Sequence, residues 1–187
     1  MRDMDVMTQN SGAPGEAFTS VKARMRAMLA EFDFDFTMFT MERFTAWLEA
    51  RRGRKILFVP KAMPPTLFGA WMAGERHDYI FYEANTLPLH QAHIQLHEMA
   101  HMLCGHPALV ISPQQARILL RQSEADPSVY EHLLLRSAHP DEMELEAETL
   151  TALIQEQVLR FSTLEKLTTV ISSDEDIAEY LRAMELA

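Results

Sequence analysis

The chain has 187 residues, 48% hydrophobic and 24% charged, which is enough for one domain with a real core and outside the composition of a disordered chain. A formal net charge of -10 and a pI near 5.2 leave no chain-wide positive field, which argues against nucleic acid or an anionic membrane surface as a direct partner. The single cysteine, Cys104, permits no intrachain disulfide, the first residues lack the apolar core of a signal peptide, and no run reaches the roughly 18 apolar residues of a membrane span, so a cytoplasmic location is expected.

Residues 1–16 mix polar residues, Gly and Pro without periodicity and read as a disordered leader; 17–187 read as one domain with a helical C-terminal part. From Phe18 to Phe32 the residues Val21, Met25, Met28 and Leu29 recur at helical spacing. A second helix is predicted from Thr40 through Phe44, Trp47 and Leu48 to Arg51-Arg52-Gly53, where basic residues meet the helix C-terminus and glycine stops it.

Lys55 to Pro60 is an apolar, partly β-branched run with a strand signal, and Leu67–Met72 and His77–Tyr82 read as two more strands joined by a turn at Gly74-Glu75. After Pro88 the pattern is helical until Gly105-His106-Pro107. Further helices are predicted at 112–124, 127–137, 141–160 and 173–184. The predicted fold class is α+β, with a small three-stranded antiparallel or mixed sheet packed on the helix that follows Pro88.

That helix carries His97-Glu98-Met99-Ala100-His101. Residues four apart on a helix lie within about 40° of each other, so the two imidazoles can grip one metal ion, and Glu98, about 100° from His97 and about 60° from His101, stands at the flank of the same site. The residue types suit hydrolysis: neutral imidazole binds Zn²⁺, the ion acidifies a water, and a carboxylate can accept its proton. Such a triplet can arise by chance in a chain with eight histidines, but Leu96, Met99, Ala100 and Leu103 form an apolar stripe on another face, so the helix packs by one side and presents the histidines on another.

His93 continues the stripe at i, i+4, i+8 but lacks a glutamate placed for both members of a His93–His97 pair, which leaves it an outer role or none. Cys104 lies one turn from His101 and reads as an inert buried thiol. A hydrolytic zinc needs a third protein ligand, and the acidic run Asp141–Glu148 opens a helix whose apolar face holds Met143, Ala147, Leu150, Ile154 and Val158. Acids in a first helical turn complement the helix dipole, which accounts for Glu142, Glu144 and Glu148; Glu146, between Met143 and Leu150, is the one turned towards the core side and the expected third ligand. Tyr79, Phe81 and Tyr82 could lie on an edge strand that binds an extended substrate, although such aromatics more often serve sheet packing.

His97-Glu98-x-x-His101, followed some forty residues later by Glu144-x-Glu146-Ala147-Glu148, resembles the ImmA/IrrE family of gluzincin-type metallopeptidases over about residues 20 to 160. The resemblance implies a minimal zincin-like fold, zinc held by His97, His101 and Glu146, and Glu98 as general base. It also implies a zinc-dependent endopeptidase acting on a protein such as a repressor or antitoxin. Glu148 stands where the family often has asparagine, and the N-terminal DNA-binding helix-turn-helix frequent in the family is not recognisable, so a separate partner would supply contact with DNA. The rival expectation is a catalytically weak zinc-containing module that binds a transcription factor or a toxin–antitoxin partner.

Overall fold

The structure is a computed structural model and describes residues 14–120 and 139–173. Five helices and a four-stranded sheet follow in the order α1 (Pro14–Ala30), α2 (Met41–Arg52), β1 (Lys55–Lys61), β2 (Gly69–Ala73), β3 (His77–Glu83), α3 (Pro88–Cys104), β4 (Leu109–Val110), α4 (Pro113–Leu120) and α5 (Asp141–Ser173). A 3₁₀ turn at Phe36–Met38 precedes α2. α1 is described from Pro14, within the stretch 1–16 read as a leader; residues 1–13, the helix expected at 127–137 and most of the one expected at 173–184 lie outside the described residues. Among those described, no helix is long and apolar enough to cross a membrane.

The sheet has the order β1-β3-β2-β4, with β1 parallel to β3, β2 antiparallel to β3 and β4 parallel to β2. It is mixed as expected, but it has four strands rather than three: β4 pairs only at Met72↔Leu109 and Ala73↔Val110, and two residues are too few to carry a period-two signal. Pro60 is tolerated inside β1 because that strand is an edge, paired among the described residues with β3 alone.

Alternation along the strands divides the core. Ile56, Trp71 and Ile80 point into a cluster with Phe44, Leu48, Met99, Ala100, Leu150 and Ile154, so this face is covered by α1, α2, α3 and α5. Ala70, Met72, Tyr79 and Phe81 point the other way, onto Ile111 and onto Ala116 and Leu119 of α4. α2 is closed at both ends as its sequence suggests: the Thr40 side chain accepts from the Arg43 N–H at 3.2 Å, and Gly53 is the C-cap.

A buried ion cluster ties α2 to the sheet. Asp78, fully buried on β3, accepts from Arg52 Nε at 3.1 Å and Nη2 at 2.8 Å, and Arg54 Nε lies 3.4 Å from its other oxygen. Arg52 also stacks its guanidinium 5.0 Å from the centre of the Trp71 ring. Removing Asp78 costs more than the pair contributes, because Arg52 and Arg54, with only 23% and 32% of their side chains exposed, lose their shared acceptor. Asp78→Ala should therefore lower unfolding free energy by about 3 kcal/mol, measured by urea denaturation, with an unchanged m-value.

Candidate metal centre

α3 is amphipathic in the required way. Its apolar side buries Leu96, Met99, Ala100 and Met102, and its polar side carries His93, His97 and His101 towards α5. Three donor atoms converge there: His97 Nε2 and His101 Nε2 are 3.0 Å apart, and Glu144 Oε2 lies 3.1 Å from the first and 3.6 Å from the second. Zinc with ligands at about 2.0 to 2.1 Å in tetrahedral geometry needs donors about 3.3 Å apart, so the triangle has the right size for one small divalent cation. The three side chains fit a metal by type, spacing and mutual aim.

Protonation preferences differ between the two histidines. Burial pushes His101 down to about 4, so it is neutral and able to coordinate. Burial also acts against protonation of His97, but the hydrogen bond with Glu144 and the charges of Glu98, Glu144 and Glu148 outweigh it and raise its pKa. The imidazoles of His101 and His97 beside it hold the Glu144 carboxyl well below the usual carboxylate range, so it remains an anion.

Glu144, and not the expected third ligand Glu146, is the carboxylate that the structure places beside His97 and His101. Glu146 points to the opposite flank of α5, in contact with the guanidinium of Arg24 on α1 and with His106 Nε2 at 3.1 Å from its Oε2. Successive residues on a helix are about 100° apart, so Glu144 and Glu146 lie about 80° to either side of the apolar face centred near Ala147 and Ile154, and the α3 side of that face belongs to Glu144. Glu148 shares the Glu144 side, its Oε2 being 3.4 Å from His97 Nδ1 and 3.5 Å from His93 Nε2. His93 is thus outside the metal triangle, held between Glu148 and Gln155, whose Nε2 is 3.2 Å from His93 Nδ1.

Glu98 is buried against β2, where the Trp71 backbone N–H donates to its carboxylate; burial is the main cause of a pKa raised to about 7. The space for it is made by Gly69, since a Cβ on that residue would stand 2.5 Å from Glu98 Oε1 and 2.6 Å from Ile94 Cγ2. A cleft of about 370 Å³ opens over this arrangement, walled by Thr66, Leu67, Phe68 and Gly69 on one side and by His90, His97, Glu98, His101, His139 and Glu144 on the other.

Tyr79, Phe81 and Tyr82 do not form the anticipated substrate edge. β3 is paired on both sides, by β1 and β2, and Tyr79 and Phe81 are buried on the face towards α4. The strand beside the cleft is β2, which among the described residues pairs with β4 only at Met72 and Ala73 and so leaves the outer side of Gly69 and Ala70 uncovered by a strand.

Two site residues were not signalled by the helical pattern. His139, just before α5, stacks on His101 with ring centroids 4.1 Å apart, and its Nδ1 is 3.7 Å from Glu144 Oε1. Its only sequence signal was a position next to Pro140 at the head of the glutamate helix. His106 lies past the end of α3, yet its Nδ1 is 2.8 Å from His101 Nδ1. Cys104 points away from the triangle to Met25 Sδ at 3.8 Å, and burial pushes its thiol up to about 12, in keeping with an inert side chain.

Comparison with protein-family models, with curated proteins and with solved structures found no match to this chain.

The geometry predicts one divalent cation per chain, measured by elemental analysis after reconstitution with zinc and removal of free metal, and loss of that metal in His97→Ala and His101→Ala. Glu144→Ala should weaken zinc binding by more than the roughly 10- to 100-fold typical of residues around a ligand, and by more than Glu146→Ala does.

Proposed function

We propose that this chain is a zinc-dependent endopeptidase of minimal zincin-like fold, related to the ImmA/IrrE metallopeptidases, acting on a cytoplasmic protein such as a repressor or antitoxin. The observation that carries the reading is Glu98: a buried carboxylate that accepts from the Trp71 N–H and lines the cleft beside a His97–His101–Glu144 triangle of metal-binding size. A purely structural metal site has no use for such a group, whereas a general base works best with a pKa near the operating pH.

Zinc bound there would acidify a water and polarise a substrate carbonyl. The chain's own residues do the rest. Glu98 accepts a proton and can return it to the leaving amine, and the Trp71 N–H together with the gap at Gly69 fixes where its carboxylate stands. The His101 ring, stacked under His139 and only 1% exposed, keeps one wall of the cleft dry. The uncovered side of Gly69 and Ala70 offers backbone groups along which an extended peptide can lie, with Leu67 and Phe68 at its flank.

Glu98→Gln should keep zinc, fold and partner binding but lower turnover by a factor of about 10² to 10⁴, measured by mass spectrometry of a candidate partner protein at matched zinc content. A wild type that binds its partner tightly over long incubation without cutting it, with Glu98→Gln behaving the same, would establish a regulatory binding module instead. Gly69→Ala tests the placement of the base: the added methyl must displace Glu98 Oε1, so turnover should fall while zinc content stays at one per chain.

A further inference from the structure

α3 ends in a Schellman turn. Gly105 takes φ +73, and the His106 N–H returns 3.1 Å to the His101 carbonyl, five residues back. This fold-back places a second imidazole behind the first, with His106 Nδ1 2.8 Å from His101 Nδ1 on the side of the ring away from the metal triangle. His106 Nε2 in turn faces Glu146 Oε2 at 3.1 Å, and Glu146 Oε1 is in contact with Arg24. His106 is 7% exposed and His101 1%, so the row is sheltered from solvent between α3, α5 and α1.

Hydrogen-bond polarity along the row can be settled from its far end. A carboxylate held by Arg24 only accepts, so the proton between Glu146 and His106 is on His106 Nε2. When the His106 ring carries that proton alone, its Nδ1 is an acceptor, and the 2.8 Å hydrogen bond between the two rings takes its proton from His101 Nδ1. His101 is thereby left with a bare Nε2, the atom that faces His97 and Glu144. Resting on the metal-centre reading above, we propose that His106 and Glu146 are positioning residues that lock His101 in its metal-binding tautomer.

Cys104, His106 and Glu146 also lie close enough together to suggest a second metal site. The cation of Arg24 on Glu146 argues against it, since it already serves the one carboxylate of the set, and Cys104 Sγ is turned to Met25 Sδ at 3.8 Å.

The test combines tautomer and affinity in the full chain. Long-range ¹H–¹⁵N spectra of metal-free protein should show His101 protonated at Nδ1 in the wild type and a mixture of tautomers in His106→Ala and in Glu146→Ala. Zinc affinity, read by competition with a chromophoric chelator, should fall about 10- to 100-fold in His106→Ala. His106→Gln, whose amide can accept from one neighbour and donate to the other, should recover most of that loss. Because Glu146 acts through His106, the double variant His106→Ala/Glu146→Ala should match His106→Ala within about twofold. The Glu146 side chain is 24% exposed, so Glu146→Ala reads the tautomer even if His106→Ala fails to fold.

An unchanged His101 tautomer with unchanged zinc affinity would overturn the proposal and leave the metal centre standing. A doubly protonated His106 in the wild type, additive losses in the double variant, or two zincs per chain with one lost in Cys104→Ser would overturn it as well. A locked tautomer in a wild type that binds no zinc would instead sink the peptidase reading while keeping the relay.

Discussion

The metal triangle depends on how α3 and α5 lie against each other. Two of its corners come from one helix and are fixed by local spacing, but the third must arrive from another helix with its carboxylate within about 4 Å of both imidazoles. Packing supplies that accuracy: Met99 and Ala100 of α3 and Ala147, Leu150 and Ile154 of α5 are all fully buried in one cluster. Beside this dry seam runs a polar one, in which His93, His97 and His101 face Glu144, Glu148 and Gln155. The polar groups would be costly to bury alone, and each satisfies another.

The burial of Glu98 belongs to the same economy of space. Its helix packs on β2, and the close approach that shelters its carboxylate is possible because β2 begins with a residue that has no side chain. On the reverse side of the sheet, Phe81 and Met72 close the second core, so β2 is held from both faces and Glu98 is held by β2. The fixed strand and the fixed helix together leave the carboxylate little freedom, which is what a proton acceptor with one correct position needs.

What sequence could show follows from how local each feature is. His97, Glu98 and His101 were legible because one helix turn sets their relation, and the ends of α2 and α3 were legible from Thr40, Gly53 and Gly105. The third corner was not, because the apolar face of α5 has two flanks at nearly equal rotation, with Glu144 on one and Glu146 on the other; only the neighbour on each side distinguishes them. A pattern that could have helped is the polar spacing Glu144, Glu148, Thr151 and Gln155 at i, i+4, i+7 and i+11, which matches the histidine stripe of α3. Tyr79 and Phe81 misled because alternation marks a strand without saying whether it is central. His106 was beyond reach of helical periodicity, since the backbone that brings it to His101 has already left the helix.

Gly69 also limits how this cleft could change its tastes over evolutionary time. A residue with no side chain at the mouth of the cleft contributes only backbone, and every replacement there collides with Glu98 before it can meet a ligand. Selectivity must be written in the neighbours that can vary freely, and Phe68, at 57% exposure, is the most open of the large side chains along that wall. Divergent relatives sharing this geometry would then be expected to keep the glycine and to differ at positions 66 to 68.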